Sequence, residues 1–198
     1  LKALVIDHEI GNKSEEGKDL TNLGNVYQSL EQYPKALDYY QQALAIAREI
    51  GDKNGEGNNL GSLGVVYQNF GQYSKALDYD QQALAIHREI GNKYGEGISL
   101  TNLGVLYKNL GQYPKALEYY ENSLAIFREI GDKQLEESLL SSIDNMCDNL
   151  DQFPKVLDCR QQTLTIFRKI DDKNRVGSNL GTLGFLYDTR GQYLKALD

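Results

Sequence analysis

The chain repeats itself every 40 residues. The stretch 55–93 reads GEGNNLGSLGVVYQNFGQYSKALDYDQQALAIHREIGNK, and 95–133 reads GEGISLTNLGVLYKNLGQYPKALEYYENSLAIFREIGDK. The same offset aligns Leu20, Leu60, Leu100, Leu140 and Leu180. It also aligns Leu23, Leu63, Leu103, Ile143 and Leu183, and then Tyr27, Tyr67, Tyr107, Cys147 and Tyr187. No other feature constrains the fold as much. A unit of this size buries its apolar face by stacking on its neighbours, so the chain grows by adding units and not by enlarging one core.

Each unit carries two helical patterns. Leu60, Leu63, Gly64 and Tyr67 fall on one face of a 3.6-period helix. Glycine inside a helix costs about 1 kcal/mol, so its recurrence as Gly24, Gly64, Gly104 and Gly184 implies a neighbour too close for a Cβ. Ala36, Ala76, Ala116 and Ala196 are the expected partners of that crossing. The turn reads GQY at 71–73 and 111–113, where a left-handed glycine ends the first helix. Pro34, Pro114 and Pro154 stand where a second helix begins, a place that tolerates a missing N–H. That second helix carries Ala76, Leu77, Ala83, Leu84 and Ile90. The pairs Gly51-Asp52, Gly91-Asn92 and Gly131-Asp132 mark the turn into the next unit.

This order of leucine, leucine-glycine, tyrosine, alanine, paired aromatic and alanine resembles the tetratricopeptide repeat (TPR) family. The unit is longer than the common form of roughly 34 residues. The pattern NLGxxYxxLGxYxKAL followed by GD or GN is similar to the repeats of Pins-type polarity adaptors, kinesin light chains and bacterial TPR regulatory proteins. The resemblance implies an all-α fold, an α-solenoid of antiparallel helix pairs forming a right-handed superhelix with a concave groove. It implies a half repeat at 1–13, full repeats at 14–53, 54–93, 94–133 and 134–173, and a partial repeat at 174–198, all within a single array over 1–198.

In this family the first helix of each unit lines the groove, and the ligand is an extended peptide or a helix of a partner protein. Carried over by position, the groove residues are Asn22, Asn25, Gln28, Asn69, Asn102, Lys108, Asn109, Asn145 and Asn149, with Thr101 and Ser142. An asparagine amide offers both a donor and an acceptor, which suits a peptide backbone. Asn22 and Asn102 hold the place of an asparagine ladder found in some members. The alternative is that these polar groups are merely solvated. Val65, Val105 and Phe185 share the groove register of Asn25 and Asn145, either as an apolar anchor patch or as residues buried by curvature. The family's carboxylate clamp needs cations, but its places hold Thr21, Asn25, Ser62, Ile98 and Asn102. A ligand held by its C-terminal carboxylate is not expected.

The repeat spanning 134–173 diverges. Its helix glycine is Asp144, its tyrosine Cys147, its turn glycine Asp151, its alanine Val156 and its aromatic Cys159. This is either drift in a unit that still packs or a specialised contact point. The two cysteines read as small core residues in place of tyrosines, with a redox couple as the alternative.

A formal charge of −7 and a pI near 4.9 argue against nucleic acid and against an anionic membrane surface. Two cysteines without CxxC spacing point to a reducing, cytoplasmic setting. His8 and His87 have no nucleophile or second ligand nearby in sequence, no phosphate loop is present, and neither catalysis nor a cofactor or metal is expected. Arg48, Arg88, Arg128 and Arg168 recur near second-helix ends, and Lys13, Lys53, Lys93, Lys133 and Lys173 in the turns, either as structural charges or as a basic ridge. Glu16, Glu56, Glu96 and Glu136 recur as a surface pattern.

The expected function is a non-catalytic protein–protein interaction scaffold, or adaptor. The alternative is a regulatory or sensory array that controls an effector domain outside this sequence. Leu1 and Asp198 both fall within second-helix phase. Self-association through uncapped ends is expected on that ground.

Overall fold

The computed structural model describes residues 2–148, 150 and 153–191. Among them are ten α-helices and no strand: α1 (Lys2–Glu9), α2 (Lys13–Ser29), α3 (Tyr33–Ile50), α4 (Lys53–Asn69), α5 (Tyr73–Glu89), α6 (Lys93–Asn109), α7 (Tyr113–Glu129), α8 (Lys133–Asp148), α9 (Phe153–Lys169) and α10 (Lys173–Asp188). Two compact units divide the chain, residues 1–106 and 107–198. In the first, α2 packs on α3, α3 on α4 and α4 on α5. In the second, α7 packs on α8, α8 on α9 and α9 on α10. The fold is an all-α solenoid of consecutive helix pairs.

The junctions between pairs use two successive residues for two jobs. Gly11, Gly51, Gly91 and Gly131 take left-handed φ values of 68–74° and end one helix. The next residue then caps the following one. The side chains of Asp52, Asn92, Asp132 and Asp172 accept from the backbone N–H three residues on at 2.9–3.0 Å. This satisfies one of the orphan donors at each helix start. Asp171 holds the glycine's place before Asp172, at φ 57°.

Each junction of the first unit is also pinned by charge. Arg48 Nε lies 2.8 Å from Glu56 Oε1, with Lys53 Nζ 2.9 Å from Oε2. Arg88 and Lys93 hold Glu96 in the same way at 2.8 and 3.4 Å. His8 Nδ1 replaces the arginine against Glu16 at 2.8 Å. In the second unit Arg128 and Lys133 hold Glu136 at 2.7 and 2.8 Å. The surface reading of these glutamates is therefore corrected. Glu16, Glu56 and Glu136 are buried, and hydrogen bonds from His8, Arg48 and Lys133, with Lys13, Lys53 and Arg128 beside them, hold the carboxyls below the usual range. Arg48, Arg88 and Arg128 thus have a structural role at these junctions. At the next junction Val176 stands where a glutamate would face Arg168.

Within each pair the core has a fixed plan. Tyr27 and Tyr39 stack at 5.2 Å with 6° between planes; Tyr67–Tyr79 and Tyr107–Tyr119 repeat the arrangement at 5.3 Å. Lys35, Lys75 and Lys115 lie 4.8–5.0 Å from the rings of Tyr27, Tyr67 and Tyr107. The helix glycine does mark a close approach, but its partner differs from the expected alanine. A Cβ on Gly24 would lie 2.5 Å from the Tyr40 ring, and one on Gly64 2.2 Å from an Asp80 oxygen. Ala36 and Ala76 are fully buried nearby without filling that space.

The divergent repeat keeps both helices. Cys147 and Cys159 form a disulfide between α8 and α9, with Cα atoms 5.7 Å apart. They are buried, as expected for core replacements, but bonded to each other. Asp144 replaces the helix glycine, and Arg160, on the helix opposite, bonds it at 3.0 Å and also contacts Asp148. Asp151 lies outside the described residues.

Candidate peptide-binding groove

In the first unit, α2, α4 and α6 present one face to a groove of about 520 Å³. Of the residues expected there, Asn25 and Gln28 come from α2, Val65 from α4 and Asn102 from α6. Asn22 lines a smaller adjoining hollow of about 210 Å³ with Asn54 and Asn58. Asn69 is exposed and Val105 half-buried, and neither lines the groove. In the second unit Lys108 is half-buried, while Asn109 and Asn145 are exposed. Asn149 lies outside the described residues. Phe185, placed in the same register, is 67% exposed on α10.

Several lining groups were not among the candidates: Asn58, Tyr94, His87 and Ser99. Asn58 lies seven residues before Val65, so the same helical stripe, extended two turns back, reaches it. The lining holds no lysine or arginine, while Lys18 lines the adjoining hollow. The groove is a field of neutral amides and hydroxyls around Val65 and Ile98.

Three buried groups from the second helices stand behind this surface. Tyr40 is fully buried, and its hydroxyl lies 2.7 Å from both Asn25 Oδ1 and Gln28 Oε1. Asp80 holds the tyrosine's place in the next repeat and is also fully buried. Neither of its oxygens has a bonded partner. Burial pushes this carboxyl up to about 8, and the Asn102 amide only partly opposes the rise. His87 takes the place of Phe127. Its ring sits where Cβ atoms on Gly57 or Gly95 would come within 2.6 Å, and Nδ1 lies 3.0 Å from Ser99 Oγ.

That last contact corrects the expectation that no nucleophile neighbours a histidine. The two residues are twelve apart and meet across the α5–α6 junction. Both are buried, Nε2 has no partner, and burial lowers the imidazole pKa. Among the described residues no carboxylate bonds the ring, which a hydrolytic triad would require. Among the described residues no cluster of three His, Cys, Asp or Glu could hold a metal ion, and no helix is long and apolar enough to cross a membrane.

Paired helices with a first-helix groove define a helical-repeat protein. The chain belongs to the tetratricopeptide repeat family, whose models match residues 19–89 and 98–129. It is similar to a putative kinesin light chain from Podosopora anserina with nearly identical TPR-like repeats, at 21% identity and a TM-score of 0.59. That match covers 91% of this chain and 89% of that one. A Rap protein complexed with competence and sporulation factor matches at 17% identity and a TM-score of 0.61, over 90% of this chain and 50% of that one. The TPR-sensor protein of the signal-transduction ATPase class from Pyrococcus horikoshii matches at 24% and 0.68, over 94% of this chain and 29% of that one. At these identities the likeness is one of fold. No curated protein matches the sequence.

Proposed function

We propose that this chain is a non-catalytic interaction scaffold that binds an extended peptide, or a helix of a partner protein, along the groove of its first unit. The observation that carries this reading is the groove lining itself. Neutral amides and hydroxyls from α2, α4 and α6 surround Val65 and Ile98 with no cation among them. Such a surface hydrogen-bonds a peptide backbone without demanding charge, and its apolar centre takes one anchoring side chain. The repeats 14–53, 54–93, 94–133 and 134–173 are the units of this reading, and Asn22, Asn69, Val105, Lys108, Asn109, Asn145 and Asn149 remain its outlying candidates.

Panning a random 12-residue peptide library on the chain tests the proposal. Selected peptides are expected to lose about tenfold in affinity on Asn102→Ala, read by fluorescence polarisation, because a buried amide contact contributes on the order of 1–2 kcal/mol. Binders indifferent to Asn102→Ala, Val65→Ala and Asn58→Ala alike would place the contact elsewhere. A library yielding nothing, while a longer chain containing these repeats shows a regulated activity, would favour the sensory array. A cytoplasmic setting belongs to the same reading and meets one opposing feature, the Cys147–Cys159 bond. Alkylation of thiols at the moment of cell lysis decides whether the pair is oxidised there.

A further inference from the structure

The groove amides of α2 are held from behind. Tyr40 stands on α3, fully buried over Gly24, and its hydroxyl reaches both Asn25 and Gln28 at 2.7 Å. A phenol has one proton to donate, so it bonds only one of the two amides through that amide's oxygen. The other must turn its NH₂ toward the phenol oxygen. The two side chains are therefore set in opposite senses. One leaves its NH₂ free toward the groove, and the other leaves its C=O free. Asn25 and Gln28 are three residues apart and face the same side of α2. The Ser62 hydroxyl, also on the groove, bears on the same phenol from α4.

An adjacent donor and acceptor is what one residue of an extended chain requires, because its main-chain N–H and C=O point to the same side. We propose that Tyr40 is a positioning residue that fixes Asn25 and Gln28 as a complementary pair for the main-chain N–H and C=O of one residue in a bound extended segment. This rests on the groove reading given above. The repeat pattern isolates the role. Tyr120 occupies the same place and is equally buried, but its hydroxyl has no bonded partner among the described residues. Where its repeat needs an asparagine and a glutamine, it has Val105 and Lys108. Asp80 likewise stands in a repeat with Val65 in place of Asn25.

Two measurements on the full chain test the proposal with Tyr40→Phe, which keeps the ring over Gly24, and with Tyr120→Phe as the matched control. The first needs no ligand. Side-chain ¹⁵N relaxation of the Asn25 and Gln28 amides is expected to show ordered groups that become mobile in Tyr40→Phe and stay unchanged in Tyr120→Phe. The second uses a peptide selected from the random library on the wild-type chain. Tyr40→Phe should weaken it about fivefold, the worth of an ordinary hydrogen bond, and Tyr120→Phe should not. One backbone position of that peptide should lose affinity on N-methylation with wild type but not with Tyr40→Phe. Amides equally mobile in wild type and variant overturn the positioning role. Ordered amides with peptide affinity indifferent to Tyr40→Phe overturn the recognition role. If no peptide is selected, the groove reading fails along with the ligand half of this inference, and the relaxation data alone decide the positioning half.

Discussion

α2–α3 and α8–α9 hold the same place in their repeats and are joined by different chemistry. In the first pair, Tyr27 stacks on Tyr39 and Tyr40 lies over Gly24. In the second, the stack is a disulfide between Cys147 and Cys159, while glycine and tyrosine have become Asp144 and Arg160 in an ion pair. Each change has its complement. A lone cysteine would have faced a ring, and a buried arginine without Asp144 would have kept only the more exposed Asp148 as its counter-charge. α4–α5 shows the unmatched case: Gly64 is kept but tyrosine has become Asp80, and both carboxyl oxygens are left without a bond. The contact sites belong to the fold, and their chemistry is exchangeable when both sides change together.

The largest way to sharpen this contrast is Asp80→Asn. The folded-state carboxyl titrates near 8 and the unfolded one near 3.8, so folding retains a proton that the unfolded chain releases over that window. Wild type therefore loses stability as pH rises from about 4 toward 8, by on the order of 4 kcal/mol at neutral pH. The variant lacks this loss. Its urea-unfolding advantage should grow steadily with pH, and an advantage constant from about pH 4 to 8 would contradict the buried, unpartnered carboxyl.

The disulfide comes next. Its cysteines are twelve residues apart, and closing a loop of that size stabilises by about 3 kcal/mol in the chain-entropy account. Reduction, or Cys147→Ala with Cys159→Ala, should lower the unfolding midpoint of the second unit and leave the first unit's core protected in hydrogen exchange. Equal midpoints with and without reductant would break the comparison.

The smallest effect concerns the ion pair. Asp144→Ala should cost about 2 kcal/mol, below the usual range for a broken buried pair because Asp148 still faces Arg160. Adding Arg160→Met should restore most of it. A double-mutant cycle with no coupling would show that the two changes are independent drift.

Periodicity alone made the helices, their pairing and their left-handed glycine stops readable, because each follows from neighbours a few residues away. Gln28, Asn25, Val65 and Asn102 could be placed in the groove because they share one helical stripe. The partner of Gly24 could not be read in the same way. Ala36 and Tyr40 both face the first helix, and only packing decides which of them occupies the space. His87 and Ser99 meet across a junction, a relation that no single-helix pattern contains. Glu56 looked like surface because its charge was visible in the sequence, whereas the Arg48 and Lys53 that allow its burial act only once the turn has closed.

That turn has a further consequence for how such an array can change. A helix stop at Gly51, a helix start capped by Asp52 and a charge clamp from Arg48 to Glu56 occupy one short segment with no spare residue. Inserting a single residue in the first turn of α4, between Asp52 and Glu56, would turn the rest of that helix by about 100° relative to its cap and clamp and swing its groove face away. The junction therefore works as an indexing tooth. Length can be gained or lost in whole 40-residue steps, and anything smaller puts the next unit out of phase with the one before it.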